Sequence, residues 1–163
     1  MTPQEFTAKW RGVTLKERSA AQEHFLDLCR LIGHPTPAEM DPTGQRFTFE
    51  RGATKIGGGD GFADVWFRHH FAWEYKTRHR NLDDAYQQLL KYREALENPP
   101  LLVVCDLDRF VVTIRTTGED ITRTIGSYGR TCAGKGAMIG GDSEARKKSP
   151  EDVKTFLKRI FAL

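Results

Sequence analysis

Asp64, Glu74 and Lys76 form the pattern D-x9-E-x-K inside an aromatic, β-prone stretch. Phe62 to Phe67 and Phe71 to Lys76 read as two strands joined by Arg68-His69-His70. A three-residue connection pairs Phe67 with Phe71 and so predicts Asp64 opposite Glu74. Directly opposed residues point to the same face of a sheet. Alternation along the strand adds Lys76 to that face and sends Val65, Phe67, Trp73 and Tyr75 to the other, apolar one. Two facing carboxylates repel, and a cation between them offsets that cost. Mg²⁺ takes such hard oxygen ligands, alongside waters and phosphate oxygens. An adjacent lysine helps balance the charge and can hold an attacking water. The chemistry such a patch supports is metal-assisted hydrolysis of a phosphate ester. A surface charge cluster with a simple Glu74–Lys76 pair is the competing reading.

Other candidates surround this pattern. Asp60, in the turn Gly57-Gly58-Gly59-Asp60-Gly61, competes with Asp64 as the acidic ligand, and registry favours Asp64. Glu23 on an early helix is a candidate auxiliary acid. Gln88 and Tyr92 are four residues apart, so they share one helix face. Arg68, Lys76, Arg78, His79, Arg80 and Lys91 are expected at one end of the sheet, where they could meet phosphates. His69 and His70 are adjacent in a tight turn and would point apart, which argues against zinc. Gly129 to Gly136 fits G-x4-G-K but has glycine where a phosphate loop needs Ser or Thr. Asp106 and Asp108 follow a strand end, where turn chemistry explains them.

The elements that must hold these residues follow from periodicity. Thr2-Pro3 starts a short helix. Ser19 and Gln22 resemble a capping box for a helix ending at Gly33, with Ala21, Phe25, Leu28 and Ile32 on one face. His34 to Gln45 reads as loop, and Arg46 to Glu50 as a strand. A helix over about Leu82–Leu96 carries Ala85, Leu89, Tyr92 and Leu96 as its apolar stripe, and Asn98-Pro99-Pro100 stops it. Leu101 to Cys105 is an unbroken apolar strand, which suits the middle of a sheet. Phe110 to Arg115 and Ile121 to Ile125 are further strands. The span from 71 to 105 has the length of a βαβ crossover, which makes the sheet mixed and flanked by helices. Residues 1–125 form the core. Residues 126–148, with six glycines, read as a linker or mobile loop. Residues 149–163 open with Ser149-Pro150 and form a last amphipathic helix with Val153, Phe156, Leu157 and Ile160 as its stripe.

Composition sets the outer bounds. A chain of 163 residues with 25 basic and 22 acidic side chains is nearly balanced, so charge by itself does not demand a phosphate partner. Cys29, Cys105 and Cys132 are odd in number and far apart, which argues against a disulfide framework and points to a cytoplasmic setting. No apolar run is long enough to cross a membrane.

An acid on one strand, E-x-K on the next and then a helix resembles the PD-(D/E)XK nuclease superfamily. Gln88-Leu89-Leu90-Lys91-Tyr92 resembles the QxxxY motif of its RecB-like branch. The stretches Trp10-Arg11-Gly12, Glu17 to Phe25, Gly58 to Trp66 and Asn98 to Asp106 are similar to the N-terminal nuclease domain of MmeI-like type IIG/IIL restriction–modification enzymes. The resemblance runs over Met1 to about Ile125. It implies a restriction-endonuclease-like α/β core and a Mg²⁺-dependent DNA endonuclease, with Mn²⁺ as substitute, acting in phage defence on double-stranded DNA with a 5′-phosphate product. It implies Asp64, Glu74 and the Tyr75 carbonyl as metal ligands, and Lys76 and Gln88 as catalytic partners. Tyr92 would brace the helix, and Arg68, Arg78, His79 and Arg80 would contact DNA. In the family, a methyltransferase and a target-recognition domain follow. This sequence has no methyltransferase motif. Transient homodimerisation would supply the second active site that cutting both strands needs. Two other readings fit the same residues: a catalytically silent DNA-binding remnant, and an α/β interaction module unrelated to nucleic acid.

Overall fold

The computed structural model describes residues 1–14, 17–77, 80–107, 109–114 and 121–126, and 154, 155, 158, 159 and 161. Helices α1 (Pro3–Arg11), α2 (Glu17–Ile32) and α3 (Pro37–Met40) precede strands β1 (Phe47–Thr54), β2 (Asp60–Phe67) and β3 (Phe71–Tyr75). Helix α4 (Leu82–Tyr92) and strands β4 (Leu101–Cys105), β5 (Arg109–Ile114) and β6 (Ile121–Gly126) follow. The six strands form one sheet in the order β1-β2-β3-β4-β5-β6. β3 and β4 are parallel, and the other neighbouring pairs are antiparallel. A parallel pair needs a crossover, and α4 supplies it. The sheet is thus mixed and flanked by helices, as the periodicity predicts.

Each face of the sheet has its own core. On one, Phe6 and Trp10 of α1 and Phe25 and Leu28 of α2 pack on Val65, Trp73, Tyr75, Val103 and Phe110. Phe161, in the helical residues near the C-terminus, joins this face with its ring 5.1 Å from Phe71. On the other, Leu82, Ala85, Leu89 and Tyr92 of α4 cover Trp66, Ala72, Leu102 and Val104. Burying each large apolar side chain contributes roughly 1.5–3 kcal/mol, so the two apolar layers hold β3 and β4 between α1–α2 and α4.

Several boundaries differ from expectation, each for a local reason. α2 begins at Glu17, so Ser19 lies inside the helix and does not cap it. α3 forms within the expected loop 34–45: Thr36 and Glu39 make a reciprocal capping box with proline at the first turn. α4 ends at Tyr92 rather than Leu96, in a run of turns closed by left-handed Glu97 and Asn98 (φ 64° and 51°). β1 continues past Glu50 to Thr54. The proposed linker 126–148 falls, past Gly126, outside the described residues, as do Val153, Phe156, Leu157, Ile160, Cys132 and the glycine-lysine stretch 129–136.

β1 and β2 depart from simple alternation at one level. Phe49 packs on the α1–α2 side, whereas Ala53, four residues on, belongs to the α4 side. In β2, Ala63 faces α4 and Val65 faces α2. The register Phe49↔Val65 and Arg51↔Ala63 brackets Glu50 and Asp64, so both strands change face there. Glu50 has φ 52°, a left-handed backbone that a glutamate adopts only at a cost. That turn of the backbone swings the outer half of the hairpin over α4, where the Arg51 guanidinium stacks 4.4 Å from the Trp66 ring.

Candidate active site

The hairpin obeys the expected three-residue connection, with Val65↔Trp73, Trp66↔Ala72 and Phe67↔Phe71 as partners. At the next level the Asp64 carboxylate turns into the strand interface, and its Oδ2 accepts the Tyr75 backbone N–H at 2.6 Å. A ladder bond between main chains is replaced by one from a side chain. Charge-assisted bonds of this kind are stronger than neutral ones. The face change explains why strand alternation alone does not place Asp64: its side chain leaves the α4 face and runs toward β3.

Glu74 and Lys76 lie on the α4 side of β3, as alternation predicts. Lys76 Nζ donates to Glu74 Oε1 at 2.7 Å, and Gln88 Nε2 donates to the same oxygen at 2.9 Å. Lys76 Nζ also donates to Gln88 Oε1 at 3.4 Å. The three side chains close a triangle across β3 and α4. Glu74 is only 4% exposed, so a charge there needs these partners. Lys76 N–H donates to the Cys105 carbonyl on β4. In a trans peptide the carbonyl points the opposite way, so the Tyr75 carbonyl faces the β2 side, where Asp64 sits.

Tyr75 is anchored from behind. Its Oη lies 2.8 Å from Nδ1 of His24 on α2, and both residues are buried. Burial, with the nearby Cys105 and Asp64 adding to it, pushes the phenol pKa well above its ordinary value, so it stays protonated. His24 packs edge-on to Trp10 and Tyr75, which fixes α2 against β3. On this side a small cavity of about 10 Å³ is lined by Gln22, Glu50, Asp64 and Tyr75, among others. Gln22 Nε2 donates to Glu50 Oε1 at 3.5 Å. Glu50 and His24 have no sequence signal: one depends on an unusual backbone angle, the other on a contact between distant segments.

The remaining candidates are sorted by position. Tyr92 lies on Gly61, where a β-carbon would overlap its ring, so this glycine is what lets β2 and α4 touch. Asp60 is exposed at the start of β2, four residues or about 13 Å of strand from Asp64. Glu23 accepts from Lys9 at 2.6 Å on the exposed α1–α2 surface. Arg68 is a correction: it sits at the closed end of the hairpin, away from Lys76, and pairs with Glu97 at 2.7 Å. His69 and His70 share that end, and His70 stacks on Phe67. Arg80 is exposed past β3, and its carbonyl accepts from Arg109. Arg78, His79 and Asp108 lie outside the described residues. Asp106 accepts the Arg109 backbone N–H and pairs with its guanidinium, the turn role expected of it.

The donor set suits a hard cation. Among the described residues no three His, Cys, Asp or Glu side chains group as a metal cage. Mg²⁺ does not require one: it is commonly held by one or two carboxylates with waters and substrate phosphates, and Asp64 and Glu74 are two carboxylates on adjacent strands.

The fold is an α/β domain with a mixed sheet between two helical layers. The chain belongs to the MmeI N-terminal-domain family, whose sequence model matches residues 1–128. Among solved structures it is similar to the chain in the cryo-EM structure of the DrdV–DNA complex, at 16% identity and TM-score 0.43, over 74% of this chain and 12% of that one. It is also similar to a candidate nuclease of DUF820 from Anabaena variabilis ATCC 29413, at 14% identity and TM-score 0.44, over 90% and 85% of the two chains. No curated protein matches the chain. Among the described residues no helix is long and apolar enough to cross a membrane.

Proposed function

We propose that this domain is a Mg²⁺-dependent DNA endonuclease, the cutting part of a restriction–modification protein. The observation that carries the reading is the triangle of Lys76, Glu74 and Gln88 one strand from the Asp64–Tyr75 bond. Asp64, Glu74 and the Tyr75 carbonyl would hold the cation. When bound, the ion supplies Lewis-acid stabilisation of charge on the scissile phosphate and on the leaving 3′ oxygen. Lys76 is placed to orient a water and help remove its proton, and Gln88 steadies both Lys76 and Glu74. The hydroxyl attacks phosphorus, the P–O3′ bond breaks, and a proton reaches the departing oxygen, leaving a 5′-phosphate. Exposed Arg80, with Arg78 and His79 beside it in sequence, would contact flanking phosphates.

Supercoiled plasmid with Mg²⁺ or Mn²⁺ tests this against Asp64→Ala and Lys76→Ala. The reading expects nicked or linear product from the wild type and a loss of at least about a hundredfold in each variant, the scale of removing a positioned catalytic group. Unchanged cutting in both variants would overturn the site. Salt-sensitive binding without cutting would mark the domain as a silent DNA-binding part.

A further inference from the structure

We infer that the cleft between the β1–β2 hairpin tip and α4 is a binding site for a DNA phosphodiester backbone leading away from the Glu74–Lys76 centre. This inference rests on the nuclease reading and extends it to a surface outside the catalytic triangle. The cleft has a volume of about 480 Å³, opens to solvent, and is lined by Lys55, Asp84, Gln87, Gln88, Lys91 and Tyr92. Its floor is one stripe of α4: Asp84, Gln87, Gln88 and Lys91 recur at helical spacing.

The hairpin tip is built to stay there. The face change at Glu50 and Asp64 brings it over α4. Gly61 admits the Tyr92 ring, Ile56 N–H donates to the Lys91 carbonyl at 2.9 Å, and Lys55 Nζ lies 5.8 Å from the Tyr92 ring centre. Three left-handed glycines, Gly57, Gly58 and Gly59, make the bend. The result is a wall with Lys55 on it facing a helix with Lys91 on it. Gln88 belongs to both regions, because it bonds Glu74 and Lys76 and also lines the cleft. From Gln88 to Tyr92 is about one helical turn, roughly 6 Å. The cleft therefore starts where a scissile phosphate would sit and runs along α4 to two lysines. Two ammonium groups and the amides of Gln87 and Gln88 suit phosphate and sugar oxygens. The Asp84 carboxylate, one turn from Gln88 on the side away from Lys91, works against an anion there and favours the Lys91 end.

The test is anisotropy of a labelled 30-base-pair duplex, in EDTA so that nothing is cut, from 50 to 200 mM NaCl. Wild type, Lys55→Ala/Lys91→Ala and the control Lys158→Ala, an exposed lysine near the C-terminus, are compared. The double variant is expected to bind on the order of tenfold more weakly, with a salt slope shallower by about two, while the control binds as wild type. Thermal unfolding of all three should agree closely, since the Ile56–Lys91 bond uses the backbone and Lys55→Ala removes only a weak, solvent-facing ring contact. A double variant with unchanged affinity and slope, while the wild type binds and cuts, overturns the cleft and leaves the nuclease reading standing. Weaker binding with an unchanged slope also overturns it, because lost phosphate contacts must release fewer ions. Absence of wild-type binding at 50 mM overturns the cleft, and cutting of plasmid with Mg²⁺ decides the nuclease reading separately.

Discussion

The Asp64 carboxylate holds the Tyr75 backbone N–H at 2.6 Å, so one side chain fixes the end of the β2–β3 interface and stands beside the Tyr75 carbonyl. The two roles separate by substitution. Asp64→Asn keeps an oxygen acceptor for that N–H and removes the charge. It should unfold within about 1 kcal/mol of wild type and lose DNA cleavage. Asp64→Ala strands the N–H as well, and should cost roughly 1–3 kcal/mol in urea unfolding. Equal stability of the two variants would show that the bond carries little of the structure.

Metal binding has a readout apart from cleavage. A ligand that binds only the folded state raises its stability by an amount set by concentration and affinity, about 2.7 kcal/mol at one hundred times the Kd. Mg²⁺ or Ca²⁺ should therefore raise the melting temperature of the wild type, and EDTA should reverse the rise. Asp64→Asn and Glu74→Gln should abolish it. A rise that survives in both variants would place the ion elsewhere.

Gly61 and Tyr92 should behave as a coupled pair. Gly61→Ala forces its new methyl into the Tyr92 ring and should cost about 1–3 kcal/mol. Adding Tyr92→Ala removes the clash, so the double variant should be more stable than the sum of the single effects by at least about 0.5 kcal/mol. Additive effects would mean the ring moves aside freely. Tyr92 was legible as a helix-face partner of Gln88. That its ring presses on this glycine was not, because the contact joins the hairpin to α4.

Asp27 sets a pH dependence. Burial raises the pKa of its 1% exposed carboxylate, but hydrogen bonds from Lys9 and Arg30 at 2.7 Å, and from Trp10, outweigh that and hold it below its ordinary 3.8. The folded state thus binds this proton less tightly than the unfolded state. The stability it adds is full above about pH 4 and is lost as pH falls through the lowered folded value. Lys9 and Arg30 stay solvated without it, so Asp27→Asn should destabilise by roughly 1–3 kcal/mol at pH 7, and the gap to wild type should narrow below pH 4 in urea unfolding. A constant gap would contradict this.

Much of the architecture was readable because it rests on local pattern. The loop length fixed the hairpin register, the apolar run 101–105 marked a central strand, and the spacing from 71 to 105 required a crossover. α3 was also readable, from Thr36-Pro37 and Glu39, but the surrounding prolines suggested loop. What could not be read depends on tertiary geometry. The face change turns on a left-handed Glu50, a residue type that does not advertise that angle. The direction of the Asp64 side chain follows from it. Arg68 was misplaced because its neighbourhood in sequence is the site, whereas the strand carries it to the other end of the hairpin.

Whether Asp64 and a bound Mg²⁺ make this site cut DNA is read from the single-turnover rate at which the wild type and Asp64→Asn cut a labelled duplex, with Mg²⁺ and with EDTA. Cutting by the wild type should require Mg²⁺, and the variant, still folded, should cut at least about a hundredfold more slowly. Cutting that persists in EDTA, or that proceeds at the wild-type rate in Asp64→Asn, would contradict this.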